Sequence, residues 1–220
     1  MIQAVIFDLD GVLVDTAKYH FICWQRLASS LGISIDEEFN QELKGVSRMD
    51  SLDMILALGG IEKTDEEKLE LADTKNKWYL RCLNELSSED LLEGVEENLL
   101  ELKSRDLLEL KSREFKIGLG SASQSGEYVI KKLGIYDLFD AVVDGNGFQK
   151  SKPDPEVFLT GAQKLGVAPA ECAVLEDAPS GILAAIAGGM LAIGVGSEPL
   201  PGEDHHLNDL SNPLSLIALL

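Results

Sequence analysis

Short apolar runs recur along the chain, and most end in acidic or small polar residues. Gln3–Phe7 comes first and is followed at once by Asp8-Leu9-Asp10-Gly11. Lys116–Gly120, Ala141–Val143, Ala173–Leu175 and Leu191–Val195 repeat the pattern. Runs of this length without alternation predict strands buried on both faces, as in a parallel sheet. Helical spacing fills the gaps. Glu127–Leu133 stops at Gly134, Pro155–Leu165 starts after Asp154 and stops at Gly166, and Ser180–Ala187 stops at Gly188-Gly189. Strand–helix alternation of this kind predicts an α/β fold with a doubly wound, Rossmann-like parallel sheet. Ligands of such sheets sit beyond the carboxyl ends of the strands. Asp8, Ser121 and Glu176-Asp177 all fall at such ends.

The pattern changes after residue 15. Amphipathic helical stretches run near Ala17–Leu31, Glu37–Leu43, Met49–Leu58 and Asp65–Leu86, with no strand between them. They predict an all-helical cap domain over 16–89, inserted into an α/β core made of 1–15 and 90–220. A cleft between the two is the expected binding site. The apolar run Leu214–Leu220 either packs as a final helix or frays. Leu99–Asp106 (LLELKSRD) and Leu107–Glu114 (LLELKSRE) are near-identical copies of one unit, which indicates a tandem duplication. An eight-residue step at roughly 100° per residue leaves the apolar stripe about 80° out of register. One copy is therefore expected to pack on the sheet and the other to bulge or extend toward solvent.

Composition narrows the function. At 220 residues, 45% hydrophobic and 26% charged, the chain has the composition of an ordinary globular protein. No apolar run approaches the ~20 residues of a membrane span. The start, Met1-Ile2-Gln3-Ala4-Val5-Ile6-Phe7-Asp8, has no basic segment and does not read as a signal peptide. A cytoplasmic location and a monomer are the expectations. The formal net charge of −19 excludes nucleic acid and anionic membrane as natural partners. It also repels phosphorylated metabolites, so a site for them needs a metal ion, placed cations and backbone N–H groups. Cys23, Cys82 and Cys172 are isolated, with neither metal-ligand nor redox spacing. They read as small buried apolar residues.

Four places carry candidate chemistry. In Asp8-Leu9-Asp10 two carboxylates share a small space, so one can attack phosphorus while the other manages a proton. Gly120-Ser121-Ala122-Ser123 offers small residues whose N–H groups, with the Ser121 hydroxyl, can approach a phosphoryl oxygen. Lys152 sits between fixed points in Lys150-Ser151-Lys152-Pro153-Asp154-Pro155. Glu176-Asp177 together with Asp8 would make an oxygen-rich magnesium site. Singly, each has an ordinary alternative: surface acids in a turn, an N-cap serine, a surface lysine, an acidic helix start.

In this order, each at the end of a strand, the four resemble the phosphotransferases of the haloacid dehalogenase superfamily over essentially the whole chain. The resemblance implies Asp8 as the nucleophile that becomes an aspartyl phosphate, and Asp10 as the general acid/base. It implies that Ser121, Ala122 and Lys152 hold the transferring phosphoryl group. Asp8, Asp10 (through its backbone carbonyl), Glu176 and Asp177 would bind one Mg²⁺.

The cap stretches Asp15-Thr16-Ala17-Lys18-Tyr19-His20 and Leu43 to Leu52 resemble the β-phosphoglucomutase family. That resemblance implies interconversion of β-D-glucose 1-phosphate and D-glucose 6-phosphate, primed by β-glucose 1,6-bisphosphate. It implies that Arg48 grips the phosphate not being transferred, and that Thr16 and His20 set the position and protonation of Asp10. Trp24, Lys44, Gly45, Val46, Ser47, Ser51 and Lys75 would line the sugar side, joined by Ser123 and Gln124 from the phosphate loop. One departure stands out: Gln124 and Ser125 occupy positions where the mutases usually carry a basic or polar residue and then Asn. A sugar-phosphate phosphatase on the same scaffold is the alternative.

Overall fold

The computed structural model describes residues 1–43, 46–103 and 115–220. The chain divides into two compact units, Met1–Asp15 with Ser87–Leu220, and Thr16–Leu86. The second junction lies just before the residue 89/90 boundary read from the sequence.

Among the described residues the larger unit holds six strands: β1 Ala4–Phe7, β2 Lys116–Gly120, β3 Ala141–Val143, β4 Cys172–Glu176, β5 Leu191–Val195 and β6 His205–Leu207. All pair in parallel, in the order β3-β2-β1-β4-β5-β6. Every residue of β1 and of β4 is buried, which is why neither alternates. Its helices, numbered on from those of the smaller unit, are α5 Val95–Lys103, α6 Gly126–Lys132, α7 Glu156–Leu165, α8 Pro179–Ala187 and α9 Pro213–Ile217. On one face of the sheet, Ala4, Ile6, Cys172 and Val174 pack against Val157, Phe158 and Ala162 of α7 and Ile182 and Ala185 of α8. α5 packs against β2 and α9. The Asn98 side-chain amide of α5 donates to Leu210 O at 2.6 Å, tying that helix to the segment before α9.

The sequence missed β6 because it is a three-residue edge strand carrying two histidines and offers no apolar run. α7 begins one residue later than expected, at Glu156, yet Asp154 still accepts from the Glu156 N–H at 3.1 Å.

α1 Ala17–Ser30, α2 Glu37–Glu42, α3 Arg48–Leu58 and α4 Asp65–Leu83 form the smaller unit. Their apolar faces meet in a core of Trp24, Leu27, Ala28, Ile33, Leu52, Ile55 and Ala72. α4 starts on a full capping box between Thr64 and Glu67. Among the described residues, no helix of either unit is long and apolar enough to cross a membrane.

In the first copy of the repeat, Leu99 and Leu102 are buried on α5 while Leu100 is exposed. The second copy, and with it the expected bulge, lies outside the described residues. The Phe115 N–H donates to Leu102 O at 3.1 Å, which joins the start of β2 to the end of α5.

Candidate active site

The register of the sheet assembles the site. Phe7 of β1 sits opposite Leu119 of β2 and Leu175 of β4, so the next residue, Asp8, emerges level with Gly120 and Glu176. The Asp8 N–H donates to Leu175 O at 3.0 Å, carrying the β1–β4 ladder one step further. Beyond it the chain turns tightly. Leu13 and Val14 both donate to Leu9 O, and Gly11 adopts a positive φ of 83° that admits few side chains. Asp10 lies in this turn, bridged through its backbone to Val14.

The carboxylates of Asp8, Glu176 and Asp177 approach closely, with one oxygen of each within 4.8 Å of the others. Two glycines make room for them. A Cβ on Gly11 would overlap the Asp177 carboxylate, and one on Gly181 would overlap that of Glu176. Glu176 is held at both oxygens: Oε2 accepts from the Ala178 N–H at 3.0 Å, and Oε1 from Lys152 Nζ at 2.6 Å. Three clustered carboxylate oxygens fit a hard divalent cation of the magnesium type. Gly181→Ala should displace Glu176 and weaken magnesium binding roughly 10- to 100-fold, read by magnesium titration of the folded variant.

Lys152 lies at the centre of this charge. Its Nζ donates to Asp8 Oδ1 at 2.5 Å, to Glu176 Oε1 and to Gly120 O at 3.1 Å, and sits 4.7 Å from the centre of the Phe158 ring. Its loop is pinned from α7, where the Glu156 carboxylate accepts from the N–H groups of Gln149 and Lys150. The Lys152–Pro153 bond is cis. Burial works against the ammonium, but Asp8 and Glu176 override it and raise its pKa, so Lys152 stays charged. Glu176 is pushed up to about 7, first by burial and then by Asp8 and Asp177, with Lys152 opposing.

Asp10 has a different environment. Its Oδ1 is buried with no hydrogen-bond partner among the described residues. Burial, then the charges of Asp8 and Asp177, hold its pKa well above the usual carboxylate range. A carboxyl whose pKa is raised in this way is suited to donate a proton.

The phosphate loop differs in detail from the sequence expectation. The Ser121 N–H donates to Val143 O at 3.0 Å, and the Ser123 N–H donates to Ser121 Oγ at 3.0 Å. The Ser121 N–H therefore serves the sheet, and what Ser121 offers a ligand is its hydroxyl hydrogen. Among the described residues the Ala122 N–H meets no acceptor. Gln124 is fixed through its backbone carbonyl, which accepts from Asn146 Nδ2 at 2.9 Å. Ser125 is buried.

The remaining candidates belong to the smaller unit. His20 of α1 and Lys75 of α4 meet with Nδ1 and Nζ 2.7 Å apart. An ammonium only donates, so His20 accepts at Nδ1 and carries its proton on Nε2. Burial first, then Lys75 and Arg48, keep the His20 pKa well below the ordinary value, leaving the ring neutral. Lys75 Nζ lies 4.5 Å from the centre of the Trp24 ring and 5.0 Å from that of Tyr79. The Tyr79 hydroxyl donates to Thr16 Oγ1 at 3.3 Å. Sequence reasoning missed Tyr79, which an aromatic four residues from Lys75 on an amphipathic helix could have flagged.

Trp24 and Ser51 are buried, Trp24 in the cap core. Arg48 is half-buried at the start of α3. Ser47, expected on the sugar side, is the N-cap of that helix, its hydroxyl donating to Asp50 Oδ2 at 2.6 Å and accepting from the Asp50 N–H. Val46 is half-exposed, and Lys44 and Gly45 lie outside the described residues.

Residues 2–189 match the model of the haloacid dehalogenase-like hydrolase family, and the chain belongs to that family. It is 45% identical over 205 residues to the Bacillus subtilis beta-phosphoglucomutase, spanning 92% of this chain and 87% of that protein. A phosphorylated carbohydrates phosphatase of Thermotoga maritima is 31% identical, spanning 94% and 88%. Among solved structures, a beta-phosphoglucomutase from Clostridium difficile superimposes with a TM-score of 0.88 at 42% identity, covering 96% of this chain and 92% of that one.

Proposed function

We propose that this protein is a β-phosphoglucomutase, interconverting β-D-glucose 1-phosphate and D-glucose 6-phosphate through an aspartyl-phosphate enzyme. The observation that carries this reading is its likeness to the Bacillus subtilis mutase, spread over nearly the whole of both chains. The likeness to phosphatases is markedly weaker.

The chain's own residues then take these roles. Asp8 attacks the phosphoryl group and becomes the carrier. Asp10 protonates the departing sugar oxygen and, when the sugar returns in its other orientation, deprotonates the attacking hydroxyl. The Ser121 hydroxyl, the Ala122 N–H and the Lys152 ammonium hold the phosphoryl oxygens, with Lys152 lowering the repulsion between phosphate and Asp8. Asp8, the Asp10 carbonyl, Glu176 and Asp177 would hold one Mg²⁺. When bound, that ion supplies positive charge for the equatorial phosphoryl oxygens. Arg48 pairs with the phosphate that is not transferred, a task that suits its planar fork. Neutral His20, with Lys75, Thr16 and Trp24, binds on the sugar side, and β-glucose 1,6-bisphosphate primes the cycle.

The test is a coupled assay with magnesium and a trace of the bisphosphate. β-Glucose 1-phosphate should give glucose 6-phosphate well in excess of free phosphate, and the α-anomer should not. Phosphate release outrunning isomerisation at every primer concentration would make the protein a phosphatase instead.

A further inference from the structure

The chain leaves β3 through Asp144-Gly145-Asn146-Gly147, a run that by composition reads as a plain turn. The turn is closely held. The Gly147 N–H donates to Asp144 O at 2.8 Å, and the Asn146 N–H donates to Asp144 Oδ1 at 3.0 Å. It lies against the phosphate loop, residues 121–124, and three hydrogen bonds stitch the two segments together. The Ser121 N–H donates to Val143 O at 3.0 Å, the Gly145 N–H to Ser123 O at 2.9 Å, and Asn146 Nδ2 to Gln124 O at 2.9 Å. The third is a side-chain bond, and its direction is fixed. Asn146 Nδ2 also donates to Asp144 Oδ1, at 3.1 Å. Both neighbours only accept, so both amide hydrogens are committed, one to each.

The seat beside Asn146 is close. A Cβ on Gly145 would lie 2.5 Å from Ala122 O, 2.9 Å from Gln124 N and 3.0 Å from Gln124 Cγ. Gly145 is not among the glycines with a positive φ, so this position needs glycine for the approach and not for its backbone shape.

We propose that Asn146 is a positioning residue for phosphate binding, whose side-chain amide, seated through Gly145, holds the phosphate loop in its ligand-binding shape. The proposal rests on the reading that this loop holds the transferring phosphoryl group. Asn146 acts through the loop rather than on the phosphate. The Ala122 N–H lies between two of the anchors, the Ser121 N–H on Val143 and the Ser123 carbonyl on Gly145. Residues 121–125 carry no charge, so the loop binds an anion through aimed dipoles alone. The Ser121 hydroxyl and the Ala122 N–H must converge on one phosphoryl group, and such convergence tolerates little displacement. Aim is what the clamp supplies.

The test titrates the full-length protein with inorganic phosphate in the presence of magnesium, followed by calorimetry, and requires no turnover. Asn146→Ala should weaken phosphate binding about 3- to 10-fold, the worth of one hydrogen bond. Asn146→Asp sets a carboxylate against Gln124 O and the Asp144 carboxylate, and should weaken it at least as much. Gly145→Ala should weaken it by about 10-fold or more, because the first atoms its Cβ would meet are backbone and the loop must move. Melting temperatures should stay within a few degrees of wild type, since the Asn146 bond is exposed. Asn208→Asp adds the same charge after β6, at the opposite edge of the sheet, and should bind phosphate as wild type does. Affinities of Asn146→Ala and Gly145→Ala within about twofold of wild type would overturn the proposal, with or without a fall in melting temperature. So would a loss that Asn208→Asp reproduces. Absence of phosphate binding by wild type would overturn the role of the loop and the proposal with it. The mutase reading fails separately: weakened phosphate binding in these variants of a protein that only releases phosphate would uphold the clamp and remove the mutase.

Discussion

Asp8→Asn should lower isomerisation and phosphate release together by about 10,000-fold or more, while leaving the melting temperature within a few degrees of wild type. Asparagine keeps the shape of the side chain and its carbonyl oxygen for Lys152, but it cannot take the phosphoryl group. Stability should survive because two electrostatic changes oppose each other. The variant loses part of the attraction to Lys152, and it also loses one of three crowded carboxylate charges. Lys152 keeps its second partner, Glu176. Intact mass spectrometry after exposure to β-glucose 1,6-bisphosphate supplies the second readout. Wild type should gain one phosphoryl group, labile to hydroxylamine, and the variant none. A variant retaining turnover within tenfold of wild type, or phosphorylated elsewhere, would remove Asp8 from the role of nucleophile.

The larger unit was legible in the sequence because its strands are buried on both faces. β2, β3 and β5 coincide with the apolar runs that predict them, and β4 exceeds its run by one residue at each end. The extension at Glu176 matters. A buried glutamate ends a strand only when something neutralises it, and its partner, Lys152, is distant in the chain and invisible to any local pattern. For the same reason the sequence pointed to Lys152 as a held cation but not to what holds it. Glu156 anchors that loop from α7 through two backbone N–H groups, a contact that periodicity does not encode. β6 fell below the threshold of a hydrophobic run, and the part Ser47 plays in starting α3 was not read from the sequence. The errors share one cause: hydrophobic spacing reports which face is buried, whereas polar partners are chosen by tertiary register.

Lys152→Met should destabilise the protein by about 3–5 kcal/mol near neutral pH, because it breaks a buried ion pair by removing one partner. In a chain of this size that corresponds to a fall in melting temperature of roughly 10 °C or more. Methionine fills similar volume and can pack on Phe158, so the loss reports charge more than cavity. The sign of its pH dependence follows from Glu176. In wild type its folded pKa already stands at about 7, raised by burial, Asp8 and Asp177 against the opposition of Lys152. Without Lys152 it rises further, as does the cost of ionising the cluster. A group with a raised folded pKa favours the folded state below its unfolded pKa, and that contribution is lost as pH rises through the folded value. The deficit of the variant relative to wild type should therefore be small near pH 5 and largest above pH 7. Denaturant titrations at both ends of that window measure it directly. Magnesium should recover part of the loss at high pH, since a bound dication replaces the missing positive charge. A deficit independent of pH would mean that Lys152 contributes through packing rather than through the pair.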